Sequence, residues 1–240
     1  FELQCTSTAS LTQSDQIGSQ FAQVQGVRGG GEWDLGWGWN TPTQQLADAF
    51  EKGDPRKDET LLYFIKTGEE PDKIPANKPW GEKPVANGDV IAKYFNKKSY
   101  SNPALRLQFT RYGFWVNIRL IRYSDIILMA AEAACETGDL PNAKKYLEMV
   151  RSRARGTNIG ILPEVTTVDQ TELRTAIRHE RRVELGMEFD RFYDLVRWGI
   201  AKDVLHAAGK IGYQDKHALL PLPQNEIDKS NGVLVQNPNY

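Results

Sequence analysis

The chain reads as a mainly α protein, a tetratricopeptide-type helical hairpin plus a long helix, with extended loops and few short strands. Three observations predict this. Between residues 121 and 155, apolar side chains recur at three- and four-residue steps in two runs separated by a tight turn. Residues 169–198 carry the same period within a dense series of charges. Glycine, proline and tryptophan gather outside these runs, in stretches without a helical period.

Taken in order, residues 1–40 read as loop with short extended pieces, leading through Gly29-Gly30-Gly31 into a Trp/Gly cluster at Trp33, Trp37 and Trp39. The glycine triplet is no phosphate cradle, because no Lys-Ser/Thr follows and no helix is expected to open there. Asn40-Thr41-Pro42-Thr43 caps a short helix bearing Leu46, Ala49 and Phe50, which ends at Gly53-Asp54-Pro55-Arg56. Thr60–Ile65 has the aromatic and branched residues of a strand, and Tyr94-Phe95 and Phe109–Val116 are further extended candidates. Between the first two, residues 66–89 have the Pro/Gly composition of a long loop, with Trp80 in its middle.

In the hairpin, Ser124 is placed to cap the first helix, whose inner face is read as Tyr123, Ile126, Ile127, Ala130, Ala133 and Ala134. Gly138 supplies a left-handed stop, and Asp139 with Pro141 restarts the chain as a helix. The second stripe is Ala143, Tyr146, Leu147, Val150 and Ala154, closed by Gly156. Two helices of about fifteen residues match one tetratricopeptide unit of ~34 residues. One such pair cannot bury both its faces, so other parts of the chain must cover it. The helix over 169–198 is expected to break near Gly186, and the C-terminal residues are expected to be loop lying over the helices.

Composition narrows the function. Hydrophobic content of 40% and charge of 25% are those of a globular protein, and a net charge of −1 predicts no nucleic-acid partner. No run of about eighteen apolar residues predicts a membrane-crossing helix. The two cysteines, Cys5 and Cys135, define neither a zinc site nor a redox compartment, and Cys135 reads as a buried free thiol. The chain opens without Met, without a signal peptide, and without the apolar run that would make Cys5 a lipidation site. It is therefore expected to be part of a longer protein.

Chemistry-bearing constellations are few. His179-Glu180 begins a zinc-protease helix motif, but the position of its second histidine is Val183. Glu184 and Glu188 stand four apart and could share a proton. Arg181 and Arg191 reach the same face, and Arg–Glu ladders at this spacing are usually structural. No catalytic residue, metal ligand or cofactor is predicted. The loop tryptophans differ, because flat aromatic faces present the surface that a sugar ring needs, with Arg28, Asp34 and Asn77 near in sequence to bind hydroxyls. The candidate ligand-binding residues are Trp33 and Trp80, then Trp37 and Tyr100. For Trp37 and Trp39 a role as core plugs weighs about evenly with a ligand role. Trp115 and Trp198 are read as core.

Ordered blocks along nearly the whole chain resemble the SusD/RagB family. They are Arg122-Tyr123-Ser124-Asp125 through Ala133, Gly138-Asp139, Arg151-Ser152-Arg153-Ala154, and Glu180-Arg181-Arg182-Val183-Glu184-Leu185 with Arg197-Trp198-Gly199. Leu220-Pro221-Leu222-Pro223 and Gln236-Asn237-Pro238-Asn239-Tyr240 follow, and Pro42–Leu46 and Asp54-Pro55-Arg56 precede. The resemblance implies a single SusD-like C-terminal domain over 1–240, with 1–118 the loop-rich ligand-binding part and 119–240 the helical scaffold with a terminal wrap. It implies a non-catalytic glycan-binding component of an outer-membrane uptake system in Bacteroidetes. Such a protein captures an oligo- or polysaccharide and delivers it to a SusC-like TonB-dependent transporter. It is held on the extracellular face by a lipid anchor in the family's N-terminal half. The alternative is a tetratricopeptide scaffold that binds peptide or protein only, and a carboxylate-pair glycosidase ranks last.

Overall fold

Short elements come first along the chain and long helices follow. The computed structural model describes residues 1–8, 18–64 and 90–240. In order, these hold β1 (Glu2–Leu3), α1 (Phe21–Gln25), α2 (Gln44–Ala47), α3 (Arg56–Thr60), β2 (Leu61–Tyr63), β3 (Tyr94–Asn96), α4 (Pro103–Arg106) and β4 (Ile118–Arg119). The long helices are α5 (Tyr123–Glu136), α6 (Leu140–Arg155) and α7 (Gln170–Glu184), followed by α8 (Asp190–Arg197), α9 (Ala201–Ala207) and α10 (Gln224–Lys229). The described residues form two compact units, Phe1–Glu188 and Phe189–Tyr240.

In the first unit the hairpin forms as its spacing predicts. Gly138 takes φ +83°, which an L side chain adopts only with strain, and the Asp139 carboxylate accepts from the Asn142 N–H at 3.3 Å to start α6. The first helix, however, turns a different face inward. Leu128, Ala131 and Cys135 are fully buried with Ile127, whereas Tyr123 is 73% and Ile126 46% exposed. Two apolar stripes compete on this Ala-rich helix, and the one facing Ala143, Leu147 and Val150 of α6 and Leu173 and Ile177 of α7 is buried. Each buried leucine contributes about 2 kcal/mol. Nor does Ser124 cap the helix: its hydroxyl accepts from Arg122 at 2.5 Å, and Arg122 holds the cap position.

The β2–β3 ribbon links this scaffold to the loops. It is antiparallel, with Leu61 opposite Asn96, Leu62 opposite Phe95 and Tyr63 opposite Tyr94. Because side chains alternate across a strand, Leu61 and Tyr94 pack with Ala47, Phe50 and Val183 of α7. Leu62 and Phe95 point the other way and pack with Val27, Trp33, Leu35 and Phe64. The loop bearing the tryptophan cluster is thereby fastened to the helices through one ribbon.

Several segments differ from expectation. The described residues of 1–40 include α1 and a 3-10 turn at Gly31–Trp33, so a short helical turn does open at the end of the glycine triplet. Phe109–Val116 is no strand. The chain turns there, and the neighbouring Asn102-Pro103 starts α4, with the Asn102 side chain accepting from the Ala104 N–H at 2.9 Å. Residues 66–89, with Trp80, lie outside the described residues.

The expected break in the long helix is present. α7 ends at Glu184 and α8 begins at Asp190, with Met187 and Phe189 at φ +68° and +75° between them. The second unit holds α8, α9 and α10, and its C-terminal part, expected to be loop, is helical over Gln224–Lys229. Its end is fastened by side chains of the terminal block. Gln236 accepts from Leu222 N at 2.8 Å and donates to Leu222 O at 2.9 Å, Asn237 donates to Leu220 O at 2.6 Å, and the Tyr240 hydroxyl donates to Leu219 O at 2.8 Å. Among the described residues, no helix is long and apolar enough to cross a membrane.

Candidate functional site

The tryptophan-bearing loop is held by its own backbone. Residues 35–39 are hydrogen-bonded to the end of α1 and the residues that follow it, with Leu35 N donating to Val27 O, Trp37 N to Gln23 O, Gly38 N to Gly26 O and Trp39 N to Val24 O, all at 2.8–3.0 Å. This pairing needs close approach. A Cβ on Gly36 would lie 2.1 Å from the Gln23 carbonyl oxygen and 2.8 Å from Gly26 Cα. Glycine at 36 is therefore a packing requirement of the loop.

The pairing separates the three tryptophans. Trp33 is 6% exposed, edge-on to Phe64 at 5.0 Å between ring centroids, and stacked with Tyr100 at 6.2 Å and 24°. Its indole Nε1 is buried and makes no hydrogen bond to a described residue. Trp37 and Trp39 stand at the surface, 38% and 60% exposed, as a tilted pair 5.1 Å apart.

Trp33 and Tyr100 line one pocket of about 460 Å³, with Leu35, Arg106, Leu107 and Arg111 also in its wall. Of the residues singled out in the sequence, the structure brings these two together. Trp37 is not in the lining, and Trp80 and Asn77 lie outside the described residues. Arg106 and Arg111 were missed. The Arg106 guanidinium lies 4.6 Å from the Tyr100 ring centroid, and its Nε donates to Ser101 Oγ at 3.0 Å. A second bond runs from its Nη2 to the Ser101 carbonyl. Arg111 pairs with Asp34 at 2.9 Å and donates to the Tyr112 hydroxyl at 2.9 Å. The available signal was the Asn102-Pro103 helix start, which sets Arg106 one turn on, beneath the Tyr100 ring.

The carboxylates of α7 belong to a different construction. Arg56 and Arg151 flank Glu180, and Arg56, Arg122 and Arg153 surround Glu184. Glu188 is held by Lys98 and Arg122, each at 2.5 Å. Arg181, expected on the Glu184 face, pairs instead with Asp125 at 2.9 Å, and Arg191 lies over the Trp198 ring at 6.0 Å. Burial alone would push the Glu184 carboxyl up, but the hydrogen bonds and charges of Arg122 and Arg153 outweigh it and bring it down to about 2. Near neutral pH it holds no proton to donate. Among the described residues, no group of three or more His, Cys, Asp or Glu side chains is placed to hold a metal ion.

A helical hairpin capped by a buried arginine–glutamate lattice, with a pocket fastened to it through a two-stranded ribbon, defines a helical scaffold that carries loops and a pocket outside its helices. The chain belongs to the SusD family, which it matches over residues 1–240. SusD-like protein P2 of Formosa agariphila is 28% identical over 91% of this chain and 44% of its own length. Surface glycan-binding protein A from Bacteroides thetaiotaomicron, solved with laminarihexaose, is 25% identical with a TM-score of 0.71, covering 100% of this chain and 51% of that one. A laminarin-binding SusD-like protein is 27% identical with a TM-score of 0.67, over 93% of this chain and 45% of that one. The chain thus spans about half the length of these relatives.

Proposed function

We propose that this chain is the ligand-carrying part of a non-catalytic surface protein that captures an oligo- or polysaccharide on loop aromatics. The bound glycan passes to a SusC-like TonB-dependent transporter. The protein works at the extracellular face of the outer membrane, held by a lipid anchor in the N-terminal half of the full-length protein. The observation that carries this reading is the meeting of Trp33 and Tyr100 in one pocket with two guanidinium groups. Aromatic faces cover the apolar side of a sugar ring, and arginine donors bind its oxygens. The exposed pair Trp37 and Trp39 would extend the contact along a chain, and Trp80 remains a proposed contact. Relatives whose names record glycan or laminarin binding support the ligand class. Each aromatic contact contributes on the order of 1 kcal/mol, so useful affinity needs several together.

Affinity electrophoresis through gels containing laminarin and other polysaccharides tests this reading. Retardation on one glycan, lost in Tyr100→Ala, is the expected result, and free migration on every glycan at ample concentration would falsify it. A peptide-binding scaffold is the second reading, favoured by the outward apolar face of α5, where Tyr123, Ile126 and Met129 are 73%, 46% and 46% exposed. Under that reading Ile126→Glu, not Tyr100→Ala, removes the activity.

A further inference from the structure

The two arginines of the pocket are in different electrostatic states. Arg111 faces Asp34 at 2.9 Å across a half-exposed pair, so its charge is balanced locally. Arg106 is held by Ser101 through a hydroxyl and a carbonyl, both neutral, and forms no ion pair with a described residue. Of the five N–H donors of a guanidinium, Ser101 takes two, and the Tyr100 ring covers a face of the cation without using the others. None of the described residues that line the pocket carries a carboxylate. A fixed, stacked guanidinium with about three donors unspent and no counter-charge among the described residues is the arrangement that recognises a planar carboxylate or a sulfate oxygen set.

From this we infer that the pocket takes a negatively charged sugar residue, a uronic acid or a sulfate ester. Arg106 is its ionic anchor, and Trp33 and Tyr100 are the aromatic wall. The inference rests on the glycan-binding reading above and narrows it. A neutral glycan would use the same N–H donors for hydroxyl oxygens. Only an anion would also use the charge, and only then is retention strongly salt-dependent. The charge counts for more in a partly enclosed pocket than in open water.

The test runs the full chain through native gels holding polygalacturonate, which is anionic by carboxylate, carrageenan, which is anionic by sulfate, or neutral laminarin. Retardation on one of the anionic polymers is expected, and which one separates carboxylate from sulfate. It should weaken about tenfold or more in Arg106→Gln, less in Arg106→Lys, and sharply as salt rises from about 0.05 to about 0.5 M. Thermal unfolding of each variant checks its fold. If Arg106→Gln is unfolded, Arg106→Lys and the salt series of the unmodified chain decide. Retardation by laminarin alone overturns the charge inference and leaves the glycan reading standing. Retardation on an anionic polymer that Arg106→Gln and salt leave untouched overturns the role of Arg106. Free migration on all three polymers overturns the charge inference, and free migration on every polysaccharide of the wider panel overturns the glycan reading as well.

Discussion

Arg56 reaches Glu180 across 124 residues of chain, and there its guanidinium shares the carboxylate with Arg151, which binds the other oxygen at 2.9 Å. Glu180 is wholly buried, and Arg56 is 9% and Arg151 5% exposed. The triad ties the turn after Gly53, helix α6 and helix α7 at one point. It is extended by Asp54 on Arg56 at 2.8 Å and by Glu51 on Arg151 at 2.8 Å. Such a lattice is costly to desolvate, and its net stabilisation is small. Its consequence appears on breaking it, when charges are left buried without partners.

Glu180→Ala should therefore cost about 3 kcal/mol, because two buried guanidinium groups lose the wholly buried carboxylate they share and keep only Asp54 and Glu184 on Arg56 and Glu51 on Arg151. Urea denaturation followed by far-UV circular dichroism measures this. Glu226→Ala, which removes one carboxylate from an exposed pair with Lys229, should barely move the midpoint. Equal effects for the two substitutions would show that the lattice carries no more than a surface ion pair does.

Glu184 gives the fold an acid limit. Its folded carboxyl titrates at about 2, below the ordinary value of 4.5. A depressed carboxylate stabilises the fold fully above the unfolded value, and that contribution fades as pH falls from about 4.5 towards 2. The amount at stake is about 3 kcal/mol. Melting temperature should drop through this window for the unmodified chain, and the drop should be shallower in Glu184→Gln, which is less stable at neutral pH. A parallel decline in both proteins would place the acid sensitivity elsewhere.

Gly36→Ala tests the loop apart from the scaffold. The added methyl meets backbone on both sides, the Gln23 carbonyl and Gly26 Cα, and neither can yield as a side-chain end can. The backbone hydrogen bonds of 35–39 to 23–27 should open, at a cost of about 1–3 kcal/mol, and glycan retardation should disappear. The helical signal, which comes mainly from α5, α6 and α7, should persist. Loss of helix in Gly36→Ala would mean that the loop is integral to the scaffold's stability.

The parts legible in the sequence were those governed by local rules. Gly138 and Asp139 stop and restart helices by backbone conformation and capping, so the hairpin was readable residue by residue. The buried face of α5 was not, because Ile126 and Leu128 are equally apolar and only the positions of α6 and α7 decide between their stripes. The arginine partners of Glu184 come from residues 56, 122 and 153, far beyond helical spacing, so the adjacent Arg181 was the wrong expectation. Residue type singled out Trp33 and Tyr100, and the structure places both in the wall of one pocket. Arg106 and Arg111 escaped because their distinction is electrostatic context, paired or unpaired, which a charged letter alone does not carry.

The tryptophans allow binding to be separated from folding. Trp33 is buried among Val27, Leu35, Leu62, Phe64 and Phe95, so Trp33→Ala opens a cavity and should cost about 3–5 kcal/mol. Loss of ligand in that variant would then be ambiguous between a missing contact and a disturbed loop. Trp37 is 38% exposed with Trp39 as its ring neighbour, and Trp37→Ala should change stability by less than about 1 kcal/mol. If the surface pair continues the sugar contact beyond the pocket, Trp37→Ala should weaken retention of long polysaccharides and leave binding of a short oligosaccharide near its original strength. Calorimetric titration with a short and a long oligosaccharide of the same sugar distinguishes the cases. Equal weakening for both lengths would put Trp37 within reach of the first sugar residues, and no weakening for either would leave the pocket at Trp33 and Tyr100 as the whole of the contact carried by this loop.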